Sequence, residues 1–139
     1  MSVLYLFGGG FVGGIGVGHW WLIGRVADVV GRVEVPLYGL APDFHHDDAL
    51  SFLVAVYDRL MTERPGVPVV VMADSSGGAL AVLLTQAVRG RGMAAPIRLI
   101  LLCPWLDLSL SNPGIGRVAR RDPWLSRGGA GKGGTGVGT

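Results

Sequence analysis

Cysteine occurs once in the 139 residues, at Cys103. A single thiol excludes an intramolecular disulfide framework and a zinc centre built mainly on thiolates, and it suits a reducing cytoplasm. Charge of either sign is missing from residues 1–24, which contain no Lys, Arg, Asp or Glu. Such a stretch raises the question of a signal peptide or a membrane span, but eight of those 24 residues are glycine. Each interior glycine costs a helix about 1 kcal/mol relative to alanine. No basic stretch precedes the apolar run and no small-residue cleavage pattern follows it, so strand and loop are expected instead of a leader or a span. A strong excess of one charge is lacking too, with 12 basic against 10 acidic residues. The basic residues are scattered apart from Arg117, Arg120, Arg121 and Arg127, and no nucleic-acid surface is signalled. Histidine is absent after His46.

Apolar residues are plentiful, at 50% of the chain, enough for one buried core. Val3 to Leu6 has strand composition and is broken by Gly8-Gly9-Gly10. From Val17 to Val30 the residues Trp20, Trp21, Ile23, Val26, Ala27 and Val30 recur at helical spacing. Val33 to Tyr38 predicts a second strand, closed by Gly39 and Pro42. Asp47 or Asp48 is placed to cap a helix with the apolar face Leu50, Leu53, Val54, Tyr57, Leu60 and Met61, ending near Arg64-Pro65-Gly66. Val67 to Ala73 is an almost unbroken apolar run, the pattern of a strand covered on both faces. Asp74-Ser75-Ser76-Gly77-Gly78 follows, then a helix through Val88, then another apolar strand from Ile97 to Cys103. The order β-α-β-α-β-α-β predicts an α/β fold, a mainly parallel sheet with helices on both faces and right-handed crossovers. Seven of the last 12 residues are glycine, so the chain divides into a domain over 1–127 and a Gly-rich tail over 128–139, expected to be disordered.

A strand running into x-Ser-x-Gly and then a helix is the setting of a nucleophile elbow, a tight turn that presents the serine above the carboxyl edge of the sheet. Ser75 is the candidate nucleophile. Positions 73 and 77 are expected to approach each other across the turn, so small residues are needed there, and Ala73 and Gly77 supply them. Asp74 and Gly78 complete the turn and the start of the helix. The helix start directs N–H groups and its positive dipole end towards an oxyanion at Ser75, with the Ser76 amide as first donor. Gly8-Gly9-Gly10, at the end of the first strand, offers further amides that no side chain obstructs. Only one strand separates the two motifs in sequence, so they adjoin if that strand lies outside them in the sheet.

Leu4 to Gly14, LYLFGGGFVGG, resembles the LYLHGGGFVGG stretch of the hormone-sensitive-lipase-like carboxylesterases. Pro36 to Pro42, PLYGLAP, is similar to that family's DYRLAP, and Ala73 to Ala81, ADSSGGALA, to GDSAGGNLA. LCPWLDLS (Leu102 to Ser109) and RDPWLS (Arg121 to Ser126) resemble family segments in the expected order. The resemblance implies a partial α/β-hydrolase fold and a serine esterase or lipase acting on a small acyl ester, with no cofactor and no metal. It implies Ser75 as nucleophile and Gly9, Gly10 and the Ser76 amide as oxyanion-hole donors, with Gly8 supporting the loop.

The departures point the other way. Phe7 stands where the family has histidine and removes a polar side chain that helps organise the glycine loop. Gly39 replaces the arginine of DYRLAP. His19, His45 and His46 all precede Ser75, whereas in this fold the order is serine, acid, histidine. Asp107 and Asp122 precede the position the family order gives its acid. The chain is therefore expected to be a truncated, inactive or impaired member. About 10³ to 10⁴-fold residual catalysis is what an intact fold retains without one triad member. A frameshift in the tail is one expected origin.

Other chemistries fit less well. His19 beside two tryptophans is expected to be a packed side chain, His45-His46-Asp47-Asp48 a solvated capping loop, and Cys103 core. Gly8 to Gly13 formally fits the dinucleotide pattern G-x-G-x-x-G, but that module needs an acid at the carboxyl end of the next strand, where Tyr38-Gly39 stands. The remaining alternative is a non-catalytic fragment or binding protein of hydrolase ancestry.

Overall fold

The computed structural model describes residues 1–119 and 121–122. Residues 1–105 form one compact unit and the chain from Leu106 a second. The first holds four strands and three helices: β1 (Ser2–Leu6), α1 (Val17–Val30), β2 (Val33–Glu34), α2 (His46–Glu63), β3 (Val69–Asp74), α3 (Ser75–Gly90) and β4 (Arg98–Leu102). The sheet order is β2-β1-β3-β4 and every pairing is parallel. All of β1 is buried, as is β3 up to Ala73, which is why these two strands carry unbroken apolar sequence.

The chain steps from β1 to one side, reaching β2, and then back to the other side, reaching β3 and β4. Right-handed crossovers then put α1 on one face of the sheet and α2 and α3 on the other, and α2 packs against α3. Tyr57 of α2 is fully buried, and its hydroxyl donates to the Ala94 carbonyl at 2.8 Å.

Four local expectations are corrected. The second strand was expected over Val33 to Tyr38, yet β2 pairs only at Val33 and Glu34. Pro36 has no N–H to give a ladder, and Tyr38 turns inward. The apolar stripe of α1 does not include its tryptophans: Ile23 is buried and Leu22, Val26 and Val30 pack on the core, while Trp20 and Trp21 are exposed. Trp21 stands about 200° around the helix from Ile23. The helix cap at α2 is His45, with Asp48 one turn in, its carboxylate accepting the His45 N–H at 2.9 Å. His46 and Asp47 pair with each other on the exposed first turn. The fourth strand was expected to end in a core cysteine, but β4 is the outer strand, four of its five residues are exposed, and Cys103 is exposed with them.

The described part of the second unit holds the short helix α4 (Ile115–Ala119). Before it, the Asp107 carboxylate accepts the Ser109 and Ser111 amides at 3.1 and 3.0 Å. The Ser109 hydroxyl and these amides hold the Asp107 carboxyl below the usual range. The Gly-rich stretch 128–139 lies outside the described residues, as does RDPWLS beyond Asp122.

Candidate active site

Adjacent parallel strands whose crossovers leave in opposite directions open a crevice at their carboxyl ends. Here those strands are β1 and β3, paired from Ser2↔Val69 through Leu6↔Ala73. The glycine loop leaves the end of β1 and Ser75 follows the end of β3, so the two motifs share one rim because β2 lies outside them.

Their contact is close. A Cβ added at Gly8 would strike the Asp74 carboxylate and come within 2.7 Å of the Ser75 Cβ. Ser75 itself has φ +47°, a left-handed conformation rare for a residue with a side chain. It is half-buried and begins α3. Its carbonyl accepts the Trp105 N–H at 2.8 Å. Ser76 is buried just behind it. A side chain at Gly77 would run into the carbonyl oxygens of Leu6 and Phe7, and one at Gly78 would come within 2.6 Å of the Pro104 Cβ. Gly77 was expected to approach Ala73 across the turn, but the atoms nearest an added Gly77 Cβ belong to the backbone of Leu6 and Phe7.

Asp74 links these parts. As the residue before α3 it is placed to cap that helix, yet it makes no such bond. One carboxylate oxygen accepts the Tyr5 hydroxyl at 2.6 Å and the Gly8 N–H at 3.0 Å. The other faces His19 Nε2 at 3.4 Å. His19 Nδ1 in turn accepts the Gly16 N–H at 2.9 Å. Burial and the adjacent Asp74 carboxylate both raise the Tyr5 phenol, and Tyr38 is raised in the same way. The Tyr38 hydroxyl donates to the Phe7 carbonyl, and its ring stacks on Phe7 with centroids 4.5 Å apart. Phe7 thus holds its end of the loop by packing.

The Gly8 amide is committed to Asp74. Among the described residues the Gly9 and Gly10 amides meet no acceptor, and the Ser75 hydroxyl has no hydrogen-bond partner. Phe11, next along the loop at φ +66°, lies 5.9 Å from the Trp105 ring. His45 and His46 lie at the start of α2 and belong to none of these contacts. Glu34, which the shortened β2 leaves at its carboxyl end, where a dinucleotide site needs an acid, is paired to Arg32 at 2.9 Å. Sequence reasoning missed Tyr5, Tyr38 and the contact of His19 with Asp74. The available signal was that a tyrosine inside a buried strand must find a partner for its hydroxyl.

A parallel sheet with a sharp strand-turn-helix at a serine and a glycine loop beside it defines the α/β-hydrolase class. A profile of the α/β-hydrolase fold matches residues 3–131, and the chain belongs to that family. It is 39% identical over 126 residues to a Mycobacterium tuberculosis protein provisionally named acetyl-hydrolase LipR, covering 89% of this chain and 41% of that one. The crystal structure of a Staphylococcus aureus protein provisionally described as an esterase superposes with a TM-score of 0.87 at 35% identity, covering 94% of this chain and 45% of that one. A hormone-sensitive lipase from a metagenome library gives a TM-score of 0.87 at 27% identity, over 95% of this chain and 46% of its own. The chain thus spans less than half the length of these relatives. Among the described residues no helix is long and apolar enough to cross a membrane.

Proposed function

We propose that these residues form the nucleophile-bearing part of a carboxylic ester hydrolase, in which Ser75 Oγ attacks the carbonyl carbon of a small acyl ester. The attack forms the Oγ–C bond and leaves an oxyanion, held by the amides of Gly9, Gly10 and Ser76 and by the positive end of α3. Collapse of this intermediate expels the alcohol, which takes the proton Oγ lost, and water then frees the acid. The observation that carries the reading is the approach of Gly8 to the Ser75 Cβ, with Ser75 at φ +47°. That pairing brings a hydroxyl and two unengaged glycine amides to one rim. These residues lie within 4–14 and 73–81, two of the segments that resemble esterases.

A base for Ser75 is what these residues lack. No histidine follows Ser75, and His19 turns to Asp74 and Gly16: its Nδ1 accepts the Gly16 N–H and its Nε2 faces the Asp74 carboxylate at 3.4 Å. The 139 residues by themselves therefore hydrolyse esters slowly, and a partly buried serine without a base is a weak nucleophile. The single thiol suits a cytoplasmic setting.

Chemical rescue tests this reading. Imidazole supplied in solution substitutes for the missing base, so hydrolysis of p-nitrophenyl acetate should show, above the rate imidazole gives without protein, an imidazole-dependent component that disappears in Ser75→Ala. A fluorophosphonate probe should label Ser75 slowly, and faster with imidazole. Folded protein whose hydrolysis and labelling match those of Ser75→Ala at every imidazole concentration would show that Ser75 is inert.

A further inference from the structure

We propose that His19 is a positioning residue for the glycine loop: it acts through Asp74 as a fixed, neutral imidazole that keeps the Gly8 amide bound and the loop pressed against Ser75. The inference concerns how the rim is held together and rests on the esterase reading only for its catalytic importance. Nδ1 accepts the Gly16 N–H at 2.9 Å, so in this geometry Nδ1 carries no proton. The proton of a neutral ring then sits on Nε2, which faces the Asp74 carboxylate at 3.4 Å. A contact at each oxygen restrains rotation of a carboxylate more than contacts at one oxygen alone. Tyr5 and Gly8 hold one Asp74 oxygen by hydrogen bonds, and His19 Nε2 faces the other at 3.4 Å, a longer polar contact. Both side chains are mostly sheltered, at 24% and 22% exposure, so water does not readily replace either contact. The chain of contacts runs Gly16, His19, Asp74, Gly8, and it joins the start of α1 to the two ends of the rim. Phe7 meets the His19 ring edge-on at 6.2 Å, and its side chain offers no polar group. The loop's polar anchoring on this side therefore falls to His19 and Asp74.

The test needs no turnover. Nitrogen-15 NMR of the wild-type chain should show His19 as a single tautomer with the proton on Nε2, and the Gly8 amide should be protected from hydrogen exchange. Three variants then separate hydrogen bonding from packing. His19→Gln keeps an N–H donor near the position of Nε2 and should retain most of the Gly8 protection. His19→Asn reaches only the Nδ1 position and should accelerate Gly8 exchange on the order of 10-fold. His19→Phe, which keeps the ring against Phe7, should behave like His19→Asn. Wild-type protein with the proton on Nδ1, or averaging between tautomers, overturns the proposal even if every variant fails to fold. Gly8 exchange as slow in His19→Phe as in wild type overturns it as well. If these spectra come out as expected while imidazole rescue fails, the rim is built as described and only the esterase reading falls.

Discussion

Ser75 sits in a backbone conformation that costs a residue with a side chain about 1–2 kcal/mol, and nothing in its own hydrogen bonding explains the choice. The turn is imposed from outside, by the sheet that β3 leaves and the helix that α3 must start. Ser75→Gly relieves that cost, whereas Ser75→Ala keeps the Cβ and the strain. After the greater chain entropy of unfolded glycine is offset, Ser75→Gly should be about 1 kcal/mol more stable than Ser75→Ala in urea unfolding. A Ser75→Gly chain less stable than Ser75→Ala would mean that Ser75 is not strained. The glycines around it respond by their surroundings. Gly77→Ala drives a methyl into the carbonyl oxygens of Leu6 and Phe7, and backbone atoms cannot rotate aside. A loss of about 1–3 kcal/mol is expected. Gly24, inside α1 with nothing within 4 Å of an added Cβ, provides the opposite sign: Gly24→Ala should raise stability by about 0.5–1 kcal/mol. A urea midpoint that falls in Gly24→Ala, or stays unchanged in Gly77→Ala, would contradict this account of the two positions.

Elements were legible in the sequence to the extent that local chemistry decides them. Val17 to Val30 marked out α1, because helical periodicity needs only near neighbours. The outside position of β2, which lets the two motifs meet, was needed but could not be read, since no local pattern states which strands are neighbours. The same limit explains the misplaced tryptophans and Cys103. An apolar run means burial only if another layer arrives, and at β4 that cover is incomplete: Leu99 and Ile100 are 38% and 42% exposed. Among the described residues the outer edge of β4 has no partner strand. An apolar edge of this kind recruits other chains. The 139-residue chain should therefore self-associate as concentration rises, and Ile100→Lys should reduce that association in sedimentation velocity without changing far-UV circular dichroism. The candidate site was legible as motifs, Ser75 and Gly8-Gly9-Gly10, because those residue types follow from turn geometry. The network through Tyr5, His19 and Asp74 was not, since its members lie as far as 69 residues apart.

At the scale of the whole molecule, the tyrosines tie stability to alkaline pH. The chain has three tyrosines, and the phenols of Tyr5, Tyr38 and Tyr57 are all raised, in each case first by burial. Tyr5 and Tyr38 are raised further by the Asp74 carboxylate, which disfavours a second negative charge beside the glycine loop. A folded-state value above the unfolded one means that the unfolded chain releases its phenolic protons first. The stabilisation is then complete below the unfolded value of about 10 and is lost as pH climbs from there towards the folded values. Phenolate absorbance should consequently lag behind that of free tyrosine and then rise together with loss of the folded circular dichroism signal. Tyr38→Phe removes one of these groups along with its hydrogen bond to the Phe7 carbonyl, so it should lower stability at neutral pH and flatten the decline above pH 10. Tyrosines that titrate at the ordinary value while the protein stays folded would show that none of the three phenols is buried against the sheet, and the packing around Asp74 would have to be redrawn.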